Sequence, residues 1–267
     1  MRARLLSILL LLFLLASAVF PASAQSEDEQ PLVVVLTASG PLTSTMANYI
    51  SRGIDQAEAS GARLIILRLD TPGGEISLMT EIVETLRASP IPVVVYVAPQ
   101  GAIAGSAGTL ITLAGHLAAM APGTAIGAAS PVGMEGEDIE STLDRKVKEI
   151  LKAQARSLAE PRGPQAVALA EDTIENAKAA SASEALQANL VDFIARDLDD
   201  LLAQLDGRVV VVNGEEVTLS TLNARVVEVN ATLVERILQA ATNPNILFLL
   251  LTIGVQAILI EFSSPGG

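Results

Sequence analysis

Between residues 32 and 97 the chain alternates two hydrophobic patterns. Residues 32–36 (LVVVL) form a continuous β-branched run, the kind buried on both faces of a parallel sheet. Residues 43–60 instead carry Met46, Ile50, Ile54 and Ala57 at helical spacing and stop before Gly61, a residue suited to ending a helix. Residues 64–69 (LIILRL) predict a second buried strand, residues 76–88 a second helix stopped by Ser89-Pro90, and residues 93–97 (VVVYV) a third strand. This β-α-β-α-β order predicts an α/β fold with a mostly parallel sheet flanked by helices and right-handed crossovers.

The next stretch is small and apolar. Gly101 to Gly108 (GAIAGSAG) runs into residues 109–119, which predict a helix so poor in charge that it must be buried all round. Residues 133–141 (GMEGEDIES) predict an exposed acidic loop, and residues 142–159 a strongly charged helix ended by the break Glu-Pro-Arg-Gly-Pro at 160–164. Beyond it lie an alanine-rich helical stretch, a short strand at 191–195 and a helix at 198–205. Residues 208–212, 216–219 and 224–229, with Asn213-Gly214 as a turn signal, predict a small antiparallel patch.

Both ends are apolar in a different way. Arg2 and Arg4, the apolar run at 5–15 and the small-x-small pattern Ala22-Ser23-Ala24 predict a secretory signal peptide over 1–24, with an uncleaved anchor as the alternative. An acidic linker follows over 25–31, and a connecting helix over 230–245 leads to residues 246–262 (ILFLLLTIGVQAILIEF). That segment makes about 25 Å of helix against a hydrocarbon core of about 30 Å, so it predicts a short membrane segment, with a buried core helix as the alternative. It has no flanking Lys or Arg to orient it; export by the signal places the intervening domain outside the cytoplasm, in the periplasm or at the cell exterior.

Charge and composition narrow the chemistry. Removing the signal leaves 15 basic against 30 acidic groups, a balance that argues against nucleic acid, whose phosphates need clustered Lys and Arg. With no cysteine there is no disulfide, thiolate nucleophile or thiolate metal site, and a single histidine excludes a zincin-like centre. No metal or other cofactor is expected.

Ser106 sits between a strand and a buried helix, where backbone N–H groups at a helix start suit an oxyanion. Tight packing of small residues is the simpler reading of Gly105 to Gly108. Asp70-Thr71-Pro72-Gly73-Gly74 strengthens the catalytic one, because in a parallel sheet both loops leave the carboxyl ends of their strands on one edge. Gly73 and Gly74 allow a close backbone approach to Ser106. A serine nucleophile needs a base. His116, ten residues on, lies about 15 Å away along a continuous helix and reads instead as a buried, satisfied side chain. Lysine remains, and the helix at 142–159 supplies Lys146, Lys148 and Lys152; Lys148, Lys152 and Arg156 share a face that also reads as a solvated basic stripe.

The runs LDTPGG (69–74), GAIAGSAG (101–108) and AGHLAAMAPGTAIGAASPV (114–132) resemble the long-form NfeD proteins, membrane-bound serine proteases of the ClpP class. The likeness continues through RSLAEPRG (156–163), residues 181–207 and NPNILFLLLTIG (243–254). It implies a ClpP/crotonase-like protease domain over 32–229, a Ser-Lys dyad, a homodimer or higher oligomer, and stomatin-like membrane proteins as partners and peptide substrates. Carried onto this chain, Ser106 is the nucleophile, and the N–H groups of Gly73, Gly74 and Ala107 are oxyanion-hole candidates. The histidine of Ser-His-Asp Clp peptidases would fall near residues 128–130, where there is none. Where family members place the lysine, just before Ser-Leu-Ala, this chain has Arg156, which stays protonated and cannot be a base. Lys152, one turn earlier, and Lys146 are the candidates. Full-length members continue past Pro265-Gly266 into further spans and a small β-barrel domain, so the sequence reads as truncated after its first C-terminal membrane segment. A non-catalytic scaffold organising a stomatin-like partner is the alternative function, and a crotonase-type acyl-CoA enzyme is disfavoured by the scarcity of basic groups before residue 130.

Overall fold

The structure is a computed structural model describing residues 30–131, 141–241 and 244–263. The expected signal peptide, the linker up to residue 29 and the acidic stretch at 133–140 lie outside the described residues.

Strands β1 (Leu32–Ser39), β2 (Leu64–Asp70) and β3 (Val93–Val97) pair in parallel register, Val34 opposite Ile65 and Ile66 opposite Val94. Their continuous apolar runs are explained by two cores, one on each face. Val34, Leu36, Ile65, Leu67, Val93 and Val95 face helices α1 (Ser44–Ala59) and α2 (Ile76–Arg87), while Val33, Val35, Leu64, Ile66 and Val94 face the other way. Because strand side chains alternate, a strand is apolar at consecutive positions wherever both of its faces are covered. Thr43 caps α1 by accepting the Met46 N–H at 3.1 Å, and Gly61 follows its end at φ 70°.

Three more strands, β5 (Leu117–Met120), β8 (Phe193–Ile194) and β11 (Arg225–Glu228), complete a six-stranded parallel sheet in the order β11-β1-β2-β3-β5-β8. A smaller sheet joins β4 (Ile103–Gly105), β6 (Ala125–Gly127) and β7 (Ala179–Ser181). Helices α3 (Ala107–Ala114), α4 (Ser141–Ala159), α5 (Pro164–Glu175) and α6 (Ala182–Gln187) cover the first core. α7 (Leu198–Leu205) covers the second with the hairpin of β9 (Val209–Val212) and β10 (Glu215–Thr218). Asn213 and Gly214 both adopt positive φ, 52° and 86°, which the tight turn of that hairpin requires.

Two expectations are corrected. The helix expected over 109–119 is α3, ended at Ala114, followed by the separate strand β5. Gly115 leaves the helix in extended geometry (φ −61°, ψ 148°), and Leu117 to Met120 fill the sheet between β3 and β8. A short apolar run buried all round satisfies both patterns, so periodicity could not separate them. Residues 224–229 do not join an antiparallel patch: of the three expected segments the first two pair antiparallel as β9 and β10, and the third, β11, runs parallel to β1 at the edge of the main sheet.

The chain ends in α8 (Leu233–Ala241) and the 20-residue α9 (Pro244–Ser263). An 18-residue window of α9, Ile246–Ser263, has a mean hydropathy of 2.2 and buries none of its residues. At 1.5 Å per residue α9 is about 30 Å long, the thickness of a bilayer's hydrocarbon core.

Candidate active site

The loop after β2 is stitched along β4. The Thr71 N–H donates to the Ile103 carbonyl at 2.7 Å, the Gly105 N–H to the Thr71 carbonyl at 2.9 Å, and the Asp70 carboxylate accepts the Ile103 N–H at 3.0 Å. The loop at 71–74 therefore lies beside the end of β4, and the next residue is Ser106.

Ser106 has φ 50° and ψ −118°, a conformation costly for a residue with a Cβ. Its surroundings over-determine it. The Ser106 N–H donates to the Gly127 carbonyl at 2.9 Å, its carbonyl accepts the Thr109 N–H at 2.9 Å, and the buried Thr109 hydroxyl donates to the Ala104 carbonyl at 3.1 Å. Every residue of α3 is buried, so the helix that Ser106 opens cannot shift without disturbing the core. A strained serine on a sharp strand-to-helix turn is a recurrent way to present a nucleophilic Oγ. The Ser106 side chain makes no capping bond to α3 and remains half-buried.

The neighbouring glycines are explained by contact. A Cβ on Gly105 would meet the Pro72 carbonyl at 3.1 Å, and one on Gly108 would meet Thr71 Cγ2 at 2.7 Å. Gly73, at φ 111°, lies directly against the Ser106 side chain. Its N–H donates to Thr71 Oγ1 at 3.0 Å and its carbonyl accepts the Leu42 N–H at 2.9 Å, so this donor is engaged in the structure as it stands. The Gly74 and Ala107 N–H groups carry no hydrogen bond among the described residues.

Lys152 is engaged with carboxylates of its own and the next helix. α4 packs on α3 and α5. Lys152 Nζ pairs with Glu175 at 3.1 Å and Glu149 at 3.2 Å, its side chain 18% exposed. The hydrogen bond it donates to Glu175, followed by that to Glu149, holds its pKa above the ordinary lysine value, opposite to what a general base needs. Lys146 is exposed on the same helix, and no hydrogen bond joins either lysine to Ser106 among the described residues. Arg156 pairs with Glu171, its Nε 2.6 Å from the carboxylate.

His116 follows α3 rather than extending it. Its Nδ1 accepts the Val93 N–H at 3.0 Å, and burial, then the Arg87 charge, lowers its pKa. It is hydrogen-bonded as its position suggested, but half-buried rather than fully buried. Ala128 to Ser130 follow Gly127 directly, and Ser130 Oγ donates to the Ile174 carbonyl at 2.5 Å. Sequence reasoning missed Thr71, a fully buried hydroxyl that orders the glycine loop, and Glu175, which captures Lys152 from 23 residues away. A polar residue inside an otherwise small and apolar loop motif was the signal for Thr71; nothing local pointed to Glu175.

Residues 32–213 match the family model described as NfeD1b, N-terminal domain. The chain belongs to this family. The membrane-bound protease PH1510 of Pyrococcus horikoshii is 38% identical over 271 residues, covering 100% of this NfeD1b-family chain and 59% of the relative. The chain thus spans less than two thirds of that relative's length. The solved 1510-N membrane-bound stomatin-specific protease, a lysine-to-alanine mutant in complex with a substrate peptide, superposes with a TM-score of 0.74 at 34% identity, covering 80% of this chain and 99% of that one. A serine-to-alanine mutant of the same protease gives 0.70 at 36% identity, covering 76% and 99%. ClpP1 from Listeria monocytogenes shares the fold, with a TM-score of 0.51 at 18% identity over 62% of this chain and 94% of that one. The NfeD1b-family chain therefore has the ClpP-like α/β fold that the sequence motifs implied.

Proposed function

We propose that the chain is a membrane-tethered serine endopeptidase with Ser106 as nucleophile. The observation that carries the reading is the strained turn at Ser106 with Gly73 packed against its Oγ. A lysine of α4, Lys152 or Lys146, takes the Ser106 proton as Oγ attacks a peptide carbonyl, then returns it to the leaving amine. Water hydrolyses the acyl-enzyme. The free N–H groups of Gly74 and Ala107 stabilise the oxyanion, joined by Gly73 when it releases Thr71. Substrates are apolar segments of membrane proteins such as stomatin-like partners, a reading supported by the solved 1510-N relative, described as specific for a stomatin homolog. Ile76 and Ile103, 42% and 41% exposed, flank Gly74 and Ser106 in sequence and suit such segments. The domain lies outside the cytoplasm, anchored by α9, in a homodimer or larger assembly, with no cofactor.

Labelling of the full chain with a serine-directed fluorophosphonate, alongside peptide cleavage, tests this across Ser106→Ala, Lys146→Ala and Lys152→Ala. Ser106→Ala should abolish both signals without unfolding the domain, and one lysine variant should follow it. Unchanged cleavage in Ser106→Ala would sink the proposal. A non-catalytic scaffold is the second reading, favoured by the capture of Lys152 between Glu149 and Glu175; it requires that wild type neither labels nor cleaves.

A further inference from the structure

We infer that α8 is an interfacial helix whose apolar face lies in the surface of a lipid bilayer, seating the domain on the membrane beside α9. At about 100° per residue, Leu233, Val234, Ile237 and Leu238 fall on one face of α8. They are 65%, 65%, 59% and 50% exposed, a cluster of large aliphatic groups that a water-facing helix would not retain. The other face is fastened to the domain. Arg52 of α1 grips both oxygens of Glu235, Nε to Oε1 at 2.9 Å and Nη2 to Oε2 at 2.7 Å. The same carboxylate accepts the Thr232 N–H at 2.6 Å, and Thr232 Oγ1 accepts the Glu235 N–H at 3.2 Å, which closes the first turn. Glu235 is held below the ordinary carboxylate range, chiefly by Arg52, so the clamp stays charged at neutral pH.

Lipid is the occupant because α8 leads straight into a span. Two residues separate it from α9, the one candidate membrane span among the described residues, so the apolar face starts where the chain approaches a bilayer. A helix with one apolar face and one polar face, joined to a span, buries the apolar face at the headgroup boundary. The four side chains of this face are all aliphatic and the exposed Arg236 lies off it, so insertion of the face itself is apolar and does not need anionic headgroups. The bidentate clamp to α1 then fixes the orientation of the domain on the membrane surface, where a flexible tether would leave it free.

This inference rests on the membrane-tethered reading above, and the test separates the two. The chain has no cysteine, so single cysteines placed in the full chain at Ile237, Val255 and Leu222 carry an environment-sensitive fluorophore without further changes. Leu222, 59% exposed in the loop before β11, is the aqueous reference. After reconstitution in phosphatidylcholine vesicles, the Ile237 probe should be quenched by iodide at least about three-fold less than the Leu222 probe and be quenched by nitroxide lipids labelled near the headgroup. The Val255 probe should respond to nitroxides deeper in the acyl chains. Equal iodide quenching at Ile237 and Leu222 with Val255 still protected overturns the inference and leaves the tether intact; an iodide-accessible Val255 removes the tether itself. Protection at Ile237 that disappears in nanodiscs holding one copy, or that appears only with phosphatidylglycerol present, also overturns it, by assigning the face to a second chain or to charge.

Discussion

Gly73 lies so close to Ser106 that a Cβ built on it would stand 2.6 Å from the Ser106 Cβ and 3.2 Å from Oγ. Its φ of 111° is itself closed to side chains. Gly73→Ala should therefore displace the nucleophile and strain the loop together, costing about 1–3 kcal/mol of stability and lowering fluorophosphonate labelling by about ten-fold or more. Thermal melting and labelling rate measured on one preparation check this. A variant that labels at the wild-type rate would show that the contact does not position Oγ.

Lys152 titrates too high for a base while Glu175 and Glu149 hold it. Glu175→Gln removes the larger of the two attractions for the ammonium, so the lysine pKa falls. If Lys152 is the base, the rise of cleavage rate with pH moves to lower pH in Glu175→Gln, and the rate at neutral pH increases. A pH profile of kcat/KM for the two proteins reads this directly. An unmoved profile leaves Lys146 as the candidate base.

The half-buried imidazole of His116 gives the fold an acid-sensitive component. Burial, aided by Arg87, depresses its folded pKa below the ordinary histidine value near 6.5. The unfolded chain then binds the proton more readily, and stability is lost as pH falls below about 6.5 toward the lower folded value. Above that range the component is fully present, with neutral Nδ1 accepting the Val93 N–H. Denaturant midpoints measured between pH 7.5 and 5 should fall in the wild type, and the fall should shrink in His116→Gln.

Much of this was legible in the chain because pattern and burial agree. Residues 32–36 and 93–97 are apolar at every position and 64–69 at all but Arg68, and only a strand covered on both sides needs such a run. The loop motifs were legible too, since Gly73 and Gly108 each occupy a place where a Cβ would collide and Gly105 one where it would be tight. What stayed hidden depends on distant partners. Leu117 to Met120 became a strand because β3 and β8 flank it, and Arg225 to Glu228 moved to the main sheet because the edge of β1 was open. The capture of Lys152 by Glu175 joins α4 to α5, and helical spacing within α4 carries no trace of it.

The same kind of long-range pairing ties the break after α4 to the central sheet. Arg162, its side chain only 9% exposed, pairs with Asp192, and Asp192 also accepts the Ala118 N–H of β5 at 2.7 Å. The Arg162 guanidinium reaches the Gly115 carbonyl at 3.4 Å, where the chain leaves α3. Asp192→Ala leaves a guanidinium with little water and no counter-charge, and should cost about 2–4 kcal/mol. Asp192→Asn keeps a hydrogen-bond acceptor for Ala118 and should cost less. Since a buried charge without its partner is worse than no pair at all, Arg162→Met combined with Asp192→Leu should be less destabilising than the sum of the two single changes. Urea midpoints across that cycle decide it: additive losses would mean that the two side chains are fully solvated in solution and contribute independently.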